Sequence, residues 1–149
     1  MIYLASDHAG LDLKEKLKKY IEQELGEEVE DMGAFAMNPD DDYPDFVIPA
    51  AEKVGKDPEH NLAIVLGGSG QGEAIAANKV KGVRAALYYG GPLDIVKLSR
   101  QHNNANILSL GARFVSLEEA KEAVKLWLET SFQEGRHERR VNKISEFEE

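Results

Sequence analysis

The chain has 149 residues, 42% of them hydrophobic and 30% charged, with a formal net charge of −9 and no cysteine. Such a composition suits one globular domain with a sizeable core. It excludes disulfides, thiolate nucleophiles and cysteine-held zinc, offers no apolar run near the ~18 residues of a membrane span, and argues against non-specific binding of nucleic acid or acidic membranes.

In chain order, residues 2–5 (IYLA) read as a short apolar strand that opens the sequence directly, leaving no room for a signal peptide; a cytoplasmic protein is the expectation. A turn, SDHAG at residues 6–10, leads into a helix with Leu13, Leu17, Tyr20, Ile21 and Leu25 on one face, lysines and glutamates elsewhere, and Gly26 as its stop. Residues 28–32 form a second strand and 33–42, rich in Asn, Asp and Pro, a loop. Pro44 suits the first turn of a helix carrying Phe46, Val47, Ala50, Ala51 and Val54. Residues 62–66 are a continuous apolar run, as expected of a strand buried on both faces. A glycine loop and a helix over 73–79 follow. A fourth strand lies at 83–88, a helix carries Leu93, Val96 and Leu98, and a fifth strand lies at 107–110. Ser116 and Glu119 have capping-box spacing at the start of a helix with Ala120, Val124, Trp127 and Leu128 inward. From about residue 132 the chain reads as a charged C-terminal arm. Five strands alternating with five helices predict a single domain over 1–149, a Rossmann-like three-layer α/β/α fold around a five-stranded parallel sheet.

Residues 62–80, LAIVLGGSGQGEAIAANKV, organise the rest. Gly67, Gly68, Gly70 and Gly72 fall within six positions. Glycines permit sharp turns and close backbone approach, and free N–H groups at a helix start favour negative charge. The loop is no P-loop, because Glu73 stands where the lysine belongs; it is no dinucleotide fingerprint either, because the glycine spacing differs and residues 88–91 are YYGG where an acid is required. A carboxylate beside N–H donors is instead the layout for proton abstraction next to a carbonyl.

Ligands of such sheets bind beyond the carboxyl ends of the strands. There the sequence collects Asp7 and His8, Ser69 and Glu73, and Arg113. Asp7 either caps a helix start or orients a ligand hydroxyl, with His8 on an anion. His102 and Asn103 either end a helix or move protons and hold an oxyanion. Arg136, His137, Arg139 and Arg140 are either a solvated tail or, with Arg113, a phosphate site suited to forked guanidinium groups. A local arginine cluster can outweigh the net charge, since salt screens beyond about 8 Å. His60 reads as surface, and four scattered histidines give no metal spacing.

Five blocks carry a resemblance: SDHAG at 6–10, DYPDF at 42–46, GGSGQGEAIAANKV at 67–80, HNNANIL at 102–108 and GRHERRV at 135–141. In this order they resemble the type-B ribose-5-phosphate isomerases, a family that includes galactose-6-phosphate isomerase subunits and allose-6-phosphate isomerases. The resemblance implies a metal-free, cofactor-free aldose–ketose isomerase working through a cis-enediolate. His102 would assist ring opening while Asp7 holds the sugar. Ser69 and the N–H groups around Gly68, Gly70 and Gly72 would stabilise the enediolate, supported by Asn103. His8, Arg113, Arg136 and Arg140 would hold the phosphate, with His137 nearby. The site would be shared between two subunits of a homodimer or tetramer. Many members place a cysteine base where this chain has Gly67; a second branch has glutamate at the position of Glu73, and this chain resembles that branch. A free glutamate titrates at about 4.3; burial would raise that value and the helix N-terminus would oppose the rise. YYGGP at 88–92 departs from the usual pattern. Three rivals stand beside ribose 5-phosphate isomerisation: the same chemistry on a six-carbon phosphate such as allose or galactose 6-phosphate, a non-catalytic sugar-phosphate binder, and a flavin or nucleotide domain of similar architecture.

Overall fold

Apolar alternation on the strands decides how the layers stack. The computed structural model describes Met1–Glu149. Its strands are β1 (Ile2–Ser6), β2 (Val29–Asp31), β3 (Leu62–Gly67), β4 (Ala85–Tyr88) and β5 (Ile107–Gly111), all parallel, in the order β2-β1-β3-β5-β4. On one face Ile2, Leu4, Ile64, Leu66, Leu108 and Leu110 pack against α1 (Leu11–Gln23), α4 (Asp94–Gln101) and α5 (Leu117–Glu129). On the other, Tyr3, Ala5, Ala63, Val65 and Ile107 pack against α2 (Pro44–Lys56) and α3 (Gln71–Ala77). Both faces of β3 are therefore covered, which is why its sequence is apolar without interruption. Leu17, Ile21 and Trp127 are wholly buried, each contributing roughly 1.5–3 kcal/mol by area removed from water. The capping box at Ser116 forms, with Ser116 Oγ accepting from Glu119 N at 3.1 Å and Glu119 Oε1 from Ser116 N at 3.0 Å.

Three expectations are corrected. The charged arm is a sixth helix, α6 (Arg136–Glu148), with His137 and Val141 buried; the remaining side chains are mostly exposed, so its composition hides its amphipathicity. α3 begins at Gln71 rather than at Glu73, so Glu73 belongs to its first turn. Lys14, on the face read as polar, is wholly buried: its ammonium donates to Asp31 Oδ1 at 2.6 Å and to the Ala34 carbonyl at 2.7 Å. A buried cation is tolerated only when paired and hydrogen-bonded in this way, and here the pair fastens the start of the 33–42 loop to α1.

The strand order creates the crevice. After β1 the chain moves outward to β2 and then returns to β3 on the other side of β1. This reversal parts the loops at the carboxyl edge between β1 and β3.

Candidate active site

At the carboxyl edge β3 ends at Gly67, which pairs with Gly111 at the end of β5. Gly70 then turns with φ +78°, a left-handed value that a side chain disfavours, and opens α3. Ser109 Oγ donates to the Gly70 carbonyl at 2.6 Å and fixes the loop from below. Ser69 Oγ accepts from Gln71 N at 3.3 Å, which leaves its hydroxyl proton free to donate to a ligand.

Glu73 is only 4% exposed. Its carboxylate occupies the space directly above Gly67: a Cβ built there would coincide with the carboxylate atoms. The space that a side chain at position 67 would need is thus filled by the Glu73 oxygens. Burial raises the Glu73 pKa, its own backbone N–H opposes the rise, and the charge of Asp7 adds to it; desolvation wins over the helix terminus.

Asp7 is buried, and its Oδ1 accepts from Ala9 N at 3.0 Å and Gly10 N at 3.3 Å. One oxygen thus makes the cap that the sequence allows, while Oδ2 has no protein partner. His8 follows, 27% exposed at its side chain, with its backbone N–H on Asp41 Oδ1 at 3.1 Å and its Nδ1 2.6 Å from the same oxygen. That hydrogen bond raises the His8 pKa, helped by the charges of Asp7 and Asp41 and opposed by burial and Arg113. The Arg113 guanidinium lies over Gly68, where a Cβ would come 3.0 Å from Nη1, and Arg113 N donates to the Gly68 carbonyl at 3.0 Å. The Tyr43 ring covers Gly72, with Cζ 2.6 Å from a Cβ built there.

The other candidates gather elsewhere. His102 ends α4, before β5 begins, and therefore sits at the amino edge of the sheet. The five residues of β5 place it roughly 15 Å from the carboxyl edge. There its ring stacks on His137, centroids 4.0 Å apart and planes at 12°. Burial lowers the His137 pKa, and His102, Arg136 and Arg140 lower it further. Asn103, Arg136 and Arg140 are exposed. Arg84 Nε donates to the Asn104 carbonyl at 2.7 Å and Arg100 Nε to the Thr130 carbonyl at 3.1 Å, which firms the turn behind His102.

One chain therefore brings together Asp7, His8, Gly68, Ser69, Gly70, Gly72, Glu73 and Arg113, and separately His102, Asn103, Arg136, His137 and Arg140. Sequence reading missed Asp41 and Tyr43 as site residues; both stand in or beside the DYPDF block, which was the available signal. Spacing gave no metal cluster, yet the fold brings donor atoms of Asp7, His8 and Asp41 within 4.8 Å of one another. The 2.6 Å contact between two of them is a hydrogen bond already made.

The Ribose/Galactose Isomerase family profile matches residues 2–144. The chain is 44% identical over 148 residues to ribose-5-phosphate isomerase B of Mycolicibacterium paratuberculosis, covering 99% of this chain and 91% of that protein. Among solved structures, ribose-5-phosphate isomerase B from Mycoplasma genitalium with bound ribulose-5-phosphate superposes with TM-score 0.94 at 42% identity, covering 99% of this chain and 95% of that one. The Clostridium thermocellum ribose-5-phosphate isomerase B gives 0.90 at 45% identity, covering 99% and 96%. By sequence over nearly its whole length and by fold, the chain belongs to the ribose/galactose isomerase family.

Proposed function

We infer that this protein interconverts ribose 5-phosphate and ribulose 5-phosphate as a single isomerase unit, with Glu73 as the base. The observation that carries this is the Glu73 carboxylate seated over Gly67 and desolvated, in the first turn of the helix that the Ser69-bearing glycine loop opens. His102 assists opening of the furanose ring while the free Oδ2 of Asp7 holds a sugar hydroxyl. Glu73 takes the proton from C2 of the aldose. The electron pair moves toward the carbonyl oxygen, and the enediolate is held by Ser69, by N–H groups of residues 68–72 and by Asn103. Glu73 then returns the proton to C1 while the hydroxyl proton on O2 passes to O1, giving the ketose with no net change in atoms or electrons. A raised carboxyl pKa makes Glu73 a stronger base than an exposed glutamate, provided the pH stays above that value.

The phosphate is held by His8, Arg113, Arg136 and Arg140, with His137 supporting His102. Because Glu73 and His102 lie at opposite edges of one sheet, a working site takes the carboxyl edge of one copy and the amino edge of another, so the protein acts as a homodimer or larger assembly. The relative from Mycoplasma genitalium, which holds ribulose-5-phosphate, supports the five-carbon substrate. No helix is long and apolar enough to cross a membrane; a charged sugar phosphate does not cross a bilayer unaided, which favours a cytoplasmic setting.

Glu73→Gln tests the reading. Turnover falls about 10²–10⁴-fold, the usual worth of a positioned base, while substrate still protects the variant against thermal unfolding. Near-normal turnover removes Glu73 from the role. Assay across five- and six-carbon sugar phosphates separates ribose 5-phosphate from allose or galactose 6-phosphate.

A further inference from the structure

We propose that Asp41 is a positioning residue for substrate binding: it clamps His8 by backbone and ring at once and presents His8 Nε2 to the phosphate as part of an imidazolium. The proposal rests on the reading of His8 as a phosphate ligand.

The geometry begins in the 33–42 loop. Lys14 pins its base through Asp31 and the Ala34 carbonyl, and Ser6 and Ala34 exchange backbone bonds with Gly33 and Ser6. At its far end Asp41 comes back over the turn after β1, thirty-three residues from His8 in sequence. A single oxygen, Asp41 Oδ1, receives both the His8 N–H at 3.1 Å and Nδ1 at 2.6 Å. An N–H on Nδ1 directed at a carboxylate fixes the ring plane and leaves Nε2 as its outward atom. With Nε2 protonated as well, the ring is a cation facing a dianionic ligand, and charge-assisted bonds of that kind are shorter and stronger than neutral ones.

Asp41 itself does not reach a ligand. Its side chain is only 8% exposed, and its second oxygen, Oδ2, is buried with no hydrogen-bond partner. A buried carboxylate oxygen without a partner is a cost. It is offset when the charge serves a neighbour, and the neighbour 2.6 Å away is His8. The charged groups facing His8 are Asp41, Asp7 and Arg113; the two carboxylates favour the imidazolium and the guanidinium opposes it. Without Asp41 that balance loses its largest favourable contribution.

The test pairs a titration with kinetics. In the substrate-free protein, NMR titration of the His8 ring, assigned with His8→Asn, places its midpoint above the ordinary histidine value of 6.5. In Asp41→Asn, which keeps the shape and removes the charge, the midpoint moves to lower pH. KM for ribose 5-phosphate then rises about tenfold near pH 8, kcat changes little, and the KM gap to the unaltered protein closes near pH 5.5, where the ring is protonated in both. Asp41→Glu recovers part of the loss, and Asp41→Ser, which also removes the charge, carries the same titration should the asparagine variant fail to fold. A His8 midpoint unchanged by Asp41→Asn, or one at or below the ordinary value in the unaltered protein, overturns the proposal. A midpoint that moves while KM keeps its pH profile overturns His8 as phosphate ligand, and with it the role of Asp41 in binding, but leaves Glu73 as base untouched.

Discussion

The two edges of the sheet carry polar residues of different kinds. At the carboxyl edge, Glu73 and Asp7 are buried, and backbone N–H groups, glycine contacts and the Ser109 bond to Gly70 hold them in place. At the amino edge, Arg136 and Arg140 project from α6 into solvent, while His137, stacked on His102, is packed. The contrast is chemical. Proton transfer needs a group whose pKa has been moved, and desolvation inside a sheet crevice does that. Anion capture needs long, permanently charged arms, which work from a surface and can reach toward another molecule.

The largest way to break the comparison is Gly67→Ala. The added Cβ lands on the Glu73 carboxylate and forces it out of place. Turnover falls about 10²-fold, the scale of a misplaced catalytic group, and stability falls by about 1–3 kcal/mol through overpacking. Steady-state rates and urea denaturation check both, and unaltered turnover would mean that the carboxylate does not work from this seat.

At the other edge the balance reverses. Arg136→Ala and Arg140→Ala each raise KM about tenfold through loss of charge-assisted phosphate bonds, with less effect on kcat. Both are exposed, so Tm stays unchanged within error. A large fall in Tm without a change in KM would place these arginines in the structure of α6 instead of in binding.

How far each edge was legible in the sequence follows the same division. The glycine loop, Glu73 and the Asp7 cap were readable because their determinants are local: an apolar run that ends in glycines, and an acid two residues before the N–H it receives. The Ser116 box was readable for the same reason. Asp41 was not, since its partner lies thirty-three residues away and three successive acids look like a solvated loop. Lys14 was misplaced because its counter-charge, Asp31, arrives only when β2 pairs with β1. α6 reads in sequence as a charged arm because just His137 and Val141 of its thirteen residues are buried. The separation of His102 from Glu73 depends on strand direction and order, which no local pattern encodes.

A smaller effect sharpens the carboxyl edge alone. Burial raises the Glu73 pKa, so the folded state holds the proton more tightly than the unfolded chain, and ionising Glu73 costs stability. That cost is absent below the ordinary carboxyl value of about 4.3, grows as pH rises through the folded value, and is full above it. Glu73→Gln therefore raises Tm at pH 7, and the gain disappears near pH 4. Calorimetry at the two pH values measures it; equal Tm shifts at both would show that the carboxylate is not desolvated.

Mixing inactive variants is the most direct test that one site draws on both edges. Glu73→Gln damages only the carboxyl edge and His102→Asn only the amino edge. Each is inactive alone. Co-expressed with different tags and isolated by both, the mixed dimers hold one site with both lesions and one with neither. A random population should recover about a quarter of normal activity, and purified mixed dimers about half. Mixed dimers that form but stay inactive, or a single-chain protein that is fully active, would contradict a site built from two copies.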